Sequence, residues 1–256
     1  MLVFPQLFSG GNFQYPLRRA DEFRTVAVAM EDGSVVKFED VSGQRVHWTL
    51  PLSSLTNAEW AAVEQLYLAV EGPRNTFTLL DPASNLLSWS EDFSQSVWVK
   101  DPLIQATGGL TDPVGGTAAW TLTNTGQAAQ QVSQTLAAPA AFEYALSAFV
   151  KGSGSVNLLR AGQSRTFALT NTWTRVVMAG TASAADSIQV GIQLAAGKSV
   201  QVFGPQLEAQ PGAGPYRRSR SLGGVYSKVR FDSQSLDVTA VGLDRNSSVI
   251  RLVSVR

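Results

Sequence analysis

The sequence predicts a mainly β protein: a split β-sheet domain with one amphipathic helix, carrying an inserted jelly-roll β-sandwich. Three observations lead there. Short runs rich in β-branched and aromatic residues, separated by Gly, Pro, Asn and Asp, recur along most of the chain. One stretch alone, about 57–71, has helical spacing. The composition also changes near residue 85 and again near 215, leaving flanks too small to be ordinary domains by themselves.

The first residues mix Phe4, Phe8, Phe13 and Tyr15 with Pro5, Gly10 and Gly11 and follow no helical or strand period. They read either as an extended arm that packs on another copy or as an arm folded back on its own domain. Phe4, Phe8, Phe13 and Tyr15 are therefore the candidate oligomer contacts. Residues 22–30 and 34–39 are strand-like and flank Glu31-Asp32-Gly33, a hairpin signal because Gly supplies positive φ without strain. A third strand is expected over 45–50, with Val46, Trp48 and Leu50 on one face.

At Thr56 the period changes. Thr56-Asn57-Ala58-Glu59 is a capping box, in which Thr56 accepts from the Glu59 amide and Glu59 reaches back to the Thr56 amide. Leu55 and Trp60 stand at staple positions. Trp60, Val63, Leu66, Tyr67 and Val70 follow helical spacing, and Gly72-Pro73 stops the helix at about 71. A further strand over 75–80 closes at Asp81-Pro82.

Beyond residue 85, Ala, Gln, Ser, Thr and Gly dominate. Strands are expected over 118–123, 129–136, 142–151, 155–160, 172–178, 187–194 and 199–207, the pattern of a jelly-roll sandwich. Residues 209–215, rich in Gly and Pro, read as a linker. Three more strands follow over 225–231, 235–241 and 248–255, too few to form a domain. Residues 1–84 and 216–256 are thus expected to make one domain, with 85–215 inserted between them. Charge fits that division. Residues 1–85 hold ten acidic and six basic side chains, and residues 214–256 three acidic and eight basic. The competing reading is a solvated basic turn at Arg217, Arg218 and Arg220.

Several of these segments resemble, in order, bacteriophage distal-tail and minor tail proteins. They are Phe4-Pro5, Trp48-Thr49-Leu50, Leu55-Thr56-Asn57-Ala58-Glu59, Phe77-Thr78-Leu79-Leu80-Asp81-Pro82 and Lys228-Val229-Arg230-Phe231 with Leu236-Asp237-Val238. The middle of the chain resembles the carbohydrate-binding-like jelly rolls of phage tails. Its matching residues are Asn85-Leu86-Leu87, Ser90-Glu91-Asp92-Phe93, Trp98, Trp173-Thr174-Arg175, Phe203-Gly204-Pro205-Gln206-Leu207-Glu208 and Tyr216. The resemblance implies a structural component of a tail hub or baseplate, forming a commonly hexameric ring between tail tube and tip. The sandwich would face outward toward the host surface or baseplate. Partners would be further copies, tail-tube and hub proteins, and a host-surface glycan, and the protein would be made in the host cytoplasm and reside in the virion tail. The alternative is a free-standing lectin-like module, for which the flanking halves have no use. A polysaccharide-degrading tailspike would call for long β-helix repeats, which the sequence lacks.

Catalytic chemistry finds little material here, and no catalytic residue, metal ligand or cofactor is expected. There is no Cys, and His47 is the single histidine, so thiol nucleophiles and multi-histidine metal sites or triads do not arise. His47 reads as an exposed strand residue. Gly108-Gly109 and Gly115-Gly116 sit among strands and read as turns, not phosphate loops. Glu91 and Asp92 are adjacent, so they suit a turn better than the facing carboxylates of a glycosidase. Trp89, Trp98, Trp120 and Trp173 are read as core rings, and no sugar-binding residue is assigned. Equal numbers of acidic and basic residues, 20 each, provide no field for nucleic acid or anionic membranes. No run reaches the length of a spanning helix, and Met1-Leu2-Val3-Phe4-Pro5 gives no sign of a signal peptide. Charged residues make up 16% of the chain, low for a surface that stays uncovered, which favours an oligomer.

Overall fold

A computed structural model describes residues 1–8 and 13–255; the expectations that involve Gly10 and Gly11 lie outside the described residues. In chain order the elements begin with β1 (Arg18–Ala29), β2 (Val35–Leu55), α1 (Asn57–Ala69) and β3 (Phe77–Leu80). Then come β4 (Val99–Lys100), β5 (Ile104–Leu110), β6 (Ala119–Asn124), β7 (Gln130–Leu136), β8 (Tyr144–Gly152), β9 (Ser155–Arg160), β10 (Gln163–Ala168), β11 (Thr174–Gly180), β12 (Ile188–Leu194) and β13 (Ser199–Glu208). The last are β14 (Val225–Phe231), β15 (Thr239–Gly242) and β16 (Arg245–Ser254). The chain divides into two compact units. One comprises Met1–Leu7, Phe13–Leu79 and the chain from Tyr226 onward; the other is built on Leu80–Val225.

The first unit is a sheet in the order β1-β2-β16-β14-β3, with β15 beside β16. The two strands expected over 34–39 and 45–50 are one continuous strand of 21 residues, β2. Its pairing with β1 runs from Arg18↔Thr49 to Ala29↔Val35 across a register shift. Trp48, Leu50 and Leu52 from β2, Ile250 and Leu252 from β16, and Val229 and Phe231 from β14 share one buried cluster with Trp60, Val63 and Leu66 of the helix. The capping box forms as read. The Glu59 amide donates to Thr56 Oγ1 at 3.2 Å, and the Thr56 amide donates to Glu59 Oε2 at 2.9 Å. Leu55 and Trp60 are both buried in the cluster, as a staple requires. The helix ends at Ala69 rather than 71, because Glu71 and Gly72 take φ of 55° and 65° and turn the chain out of the helix.

The N-terminal residues fold back on this unit. Val3 forms a parallel bridge with Thr78, the Phe4 amide donates to Thr78 O, and the Thr78 amide donates to Leu2 O, both at 2.9 Å. The Phe4 ring is fully buried and stacks on Phe13 with centroids 5.6 Å apart.

The second unit is a jelly roll. One sheet has the order β11-β8-β13-β6-β5 and the other β10-β9-β12-β7-β4. Strands consecutive in sequence occupy matching positions in the two sheets: β6 with β7, β13 with β12, β8 with β9, and β11 with β10. That is the path of a long antiparallel ribbon rolled around one core. The core is continuous, and Leu122, Leu146, Leu158, Val190, Val202 and Leu207 are among its buried members. Strands β4, β5 and β10 lie outside the strands anticipated from sequence. The β10 residues Gln163, Ser164, Arg165 and Thr166 are exposed, so an edge strand of this kind carries no apolar alternation to read.

Asn85 ties the ends of this unit together. Its side chain is buried; Oδ1 accepts from the amides of Leu207 (3.0 Å) and Leu87 (3.1 Å), and Nδ2 donates to Pro205 O (2.9 Å). Its carbonyl accepts from the Gly224 amide at 2.8 Å, and Gly224 O accepts from the Asp81 amide at 2.8 Å. The start of the unit, its last strand and its final residues therefore meet at one residue. Residues 216–225, expected to join the C-terminal strands, pack with the sandwich for this reason. The Ser219 amide donates to Ser90 Oγ (2.9 Å), and the Trp89 amide donates to Arg220 O (2.7 Å). Arg217, Arg218 and Arg220, counted above with the C-terminal flank, thus belong to the sandwich.

Trp60→Ala is expected to cost the first unit about 3–5 kcal/mol, through loss of packing and of the staple. Asn85→Ala is expected to cost the sandwich about 2–4 kcal/mol, since two buried amides and a buried carbonyl lose their partner. Chemical denaturation followed by tryptophan fluorescence measures both; a change below about 1 kcal/mol in either would contradict the assigned role.

Candidate functional site

The outer face of the sheet β11-β8-β13-β6-β5 is divided into a covered half and an open half. Alternation along β8 turns Leu146, Ala148 and Val150 inward and Ser147, Phe149 and Lys151 outward. On β13, Val200 and Val202 point inward and Gln201 and Phe203 outward, before the register shifts between Phe203 and Gln206.

Phe203 and Ser147 are buried although they point outward, because the segment after β13 lies over them. The Tyr216 ring sits 5.1 Å from Phe203 and 6.3 Å from Phe149. Arg175 lies 5.5 Å over the Phe149 ring, donating to Gly214 O at 2.6 Å and to Ser147 Oγ at 2.9 Å. Glu208 accepts from the Gly214 amide at 2.9 Å, and Gln206 Oε1 from the Arg217 amide at 2.6 Å. What reads as a linker in sequence is pinned at both backbone and side chain. Gly204 makes room for it: φ is 58°, and a Cβ there would lie 2.6 Å from the Tyr216 ring, so both the conformation and the space require glycine. The Tyr216 hydroxyl donates to Glu91 Oε1 at 2.9 Å, and Arg218 pairs with Glu91 Oε2 at 2.8 Å. Burial pushes the Tyr216 phenol above its ordinary range.

The open half is polar. Thr107, Thr121, Gln201 and Lys151 are lateral neighbours on four successive strands, so their side chains form a row at strand spacing, about 4.8 Å per step. A second row runs Gln105, Thr123, Ser199, in which the Thr123 and Ser199 hydroxyls are 2.8 Å apart. Between β6, β8 and the chain before β11 lies an open groove of about 390 Å³, lined by Thr121, Lys151, Ser153, Asn171, Ser199 and Gln201 with the backbone of Gly152 and Val200. Hydroxyls, carboxamides and one ammonium supply donors and acceptors in several directions. Among the described residues that line the groove there is no carboxylate or imidazole.

The residues singled out from sequence are placed elsewhere. Phe4 and Phe13 fill the core of the first unit, whereas Phe8 and Tyr15 are 75% and 66% exposed. Of the four candidate oligomer contacts, only those two keep accessible rings. Glu91 and Asp92 lie in a turn; Asp92 Oδ1 accepts from the Ser94 amide at 2.9 Å. Trp98 is buried against Phe93 at 4.7 Å, Trp120 donates to Glu91 O at 3.0 Å, and Trp89 and Trp173 are half-buried. His47 is half-buried between Glu22 Oε2 (2.8 Å) and Asp232 Oδ2 (3.5 Å). Among the described residues no three His, Asp or Glu side chains cluster as metal ligands. None of the groove residues stands out in sequence, since a polar residue alternating on a strand is what any wet sheet face shows.

No protein-family model matches the chain, and no curated protein matches it in sequence. Among solved structures it is similar to the enzymatically active domain of bacteriophage CBA120 tailspike protein 4, with a TM-score of 0.40 at 14% identity over 51% of this chain and 22% of that one. It is also similar to the CBM22-1 xylan-binding domain of Paenibacillus barcinonensis Xyn10C, with a TM-score of 0.39 at 15% identity over 52% of this chain and 99% of that one. The tandem CBM22-1–CBM22-2 domain of the same protein gives 0.41 at 16% identity, over 66% and 61% of the two chains. The chain thus spans about a fifth of the tailspike domain's length. Likenesses of this size assign no activity.

Gly204→Ala is expected to destabilise the sandwich by about 1–3 kcal/mol and to unseat Tyr216. Spectrophotometric titration of the folded variant should then show one more tyrosine ionising in the ordinary range than the parent does.

Proposed function

We propose that the inserted jelly roll binds carbohydrate and that the protein bearing it is a structural component, not an enzyme. The observation that carries this reading is the open groove on the outer sheet. Its lining is built of hydroxyl, carboxamide and ammonium groups in two lateral rows, a complement to a hydroxyl-rich chain molecule that must be held without being cut. Jelly rolls that bind xylan and galactotriose are among the structural neighbours, which is in keeping with the reading and adds no weight to it.

A second reading concerns the unit that bears the sandwich. Strands β3 and β14 are neighbours in its sheet, so the whole insertion replaces one connection between adjacent strands. A scaffold that carries a complete domain in one connection is suited to display. This supports the resemblance to tail-hub proteins: a virion tail component that meets copies of itself and other hub or tube proteins, with a host-surface glycan as the sandwich's ligand.

Affinity electrophoresis and glycan-array binding of the full chain against neutral and acidic polysaccharides test the first reading. Lys151→Ala with Gln201→Ala should weaken retention at least about tenfold, some 1.4 kcal/mol, with the melting curve unchanged. Equal retention of parent and variant, or no retention of the parent on any glycan, would remove the groove from the function.

A further inference from the structure

Beyond Glu22 and Arg45, β1 and β2 leave the sheet as a two-stranded ribbon tipped by Glu31-Asp32-Gly33. Every residue from 21 to 39 is exposed. One face of the ribbon is largely apolar. Val26 pairs with Phe38 and Val28 with Val36, so these four side chains share one face, at 41%, 55%, 43% and 37% exposure. Arg24 and Asp40 pair at its base at 3.4 Å. An isolated two-stranded hairpin is marginal in water, and an apolar face with two unpaired edges invites a partner. Glu31, Asp32, Glu39 and Asp40 outnumber Arg24 and Lys37 along the ribbon.

The sheet of the same unit has a face opposite the helix, and this face is basic. Alternation places Arg18 of β1, Thr49 of β2 and Arg251 of β16 side by side, and Arg230 of β14 in the next row. Lys228 lies two residues before Arg230 on the same side of β14. Val249, 53% exposed, and Pro51 are paired in register next to Arg251 and Thr49, so a small apolar strip adjoins the cations. Among the described residues Arg18, Lys228, Arg230 and Arg251 have no carboxylate partner within ion-pair distance. Glu22 and Asp232, the acids on this face, are the pair that flank His47.

We propose that the ribbon of one copy docks on this basic face of a second copy, its Val26, Val28, Val36 and Phe38 stripe over Val249 and Pro51 and its tip carboxylates, Glu31 and Asp32, against Arg18, Arg230 and Arg251. The proposal rests on the assembly reading in taking a second copy as occupant; the ground for that choice is that ribbon and face complement each other in charge and each has an apolar strip. Donor and acceptor surfaces differ, so the contact is heterologous and propagates from copy to copy into a closed ring or a filament.

The test uses the full chain and two exposed-site double variants: an arm variant, Val26→Glu with Phe38→Glu, and a face variant, Arg18→Glu with Arg251→Glu. Light scattering and sedimentation velocity should show the parent in assemblies larger than a dimer, weakened by salt, and each variant shifted at least about tenfold in the concentration needed to assemble. Mixed one to one, the variants retain one intact arm and one intact face between them, so they should form a heterodimer and nothing larger. Adding Glu31→Arg and Asp32→Arg to the parent arm should restore assembly with the face variant. A parent that stays monomeric at every concentration overturns the proposal together with the assembly reading. A parent that assembles while both variants assemble as well overturns the docking alone, as does a mixture that grows past the dimer.

Discussion

The second unit depends on one constraint: its two ends must be held together at the place where its last strand closes. Asn85 meets it with one carboxamide, accepting from Leu87 and Leu207 and donating to Pro205 O, while its own carbonyl holds Gly224. Because the group is buried, no water competes for these partners, and each bond lost leaves a polar atom unsatisfied. The closure extends outward from it. Ser90, Glu91 and Tyr216 continue the network, and the Phe149, Phe203 and Tyr216 rings cover half of one sheet. A domain closed on itself in this way can sit in a single strand connection, and its core takes in Leu80 at the end of β3 and packs against Val225 at the start of β14.

That closure also explains which parts of the molecule were legible in the sequence. The residues that carry the resemblance in the middle of the chain, Asn85, Ser90, Glu91, Arg175, Phe203 to Glu208 and Tyr216, converge on this clasp. The capping box at Thr56 and Glu59 was legible because a local motif of fixed spacing needs no tertiary context. The groove residues Thr121, Lys151, Asn171 and Gln201 had no such signature: they are brought together by lateral pairing of strands far apart in sequence. Residues 209–215 misled in the opposite direction. Gly and Pro there read as a linker, whereas Gly214 and Pro215 supply carbonyls to Arg175 and Gln206. The charge contrast between the two ends weakened accordingly, because Arg217 and Arg218 face Glu208 and Glu91 of the sandwich.

In the first unit the aromatic residues of the N-terminal segment divide between two environments. Phe4 and Phe13 stack on each other and fill the core beside Phe77, and the backbone of Leu2 and Phe4 bonds to Thr78. The segment therefore behaves as one more edge of the sheet, and its removal would expose apolar area as well as sheet edge. Sequence periodicity could not separate this from a free arm, since two or three residues bonding along a distant strand leave no period of their own.

The two units treat their exposed strands in opposite ways, and the contrast bears on assembly. In the sandwich, edge strand β10 presents Gln163, Ser164, Arg165 and Thr166, and its aromatic Phe167 lies under the Arg165 guanidinium at 5.1 Å. Polar and charged side chains of this kind blunt an edge against pairing with another chain. The ribbon of the first unit has two unpaired edges and still places Val26, Val28, Val36 and Phe38 on one face in water. A free protein with that surface would carry a standing aggregation hazard. The same chain protects its sandwich edge and leaves the ribbon's apolar face open, which is the distribution expected where the ribbon is covered by a specific neighbour. Its charges work in the same direction: Glu31 and Asp32 at the tip repel a second ribbon and favour a basic surface instead.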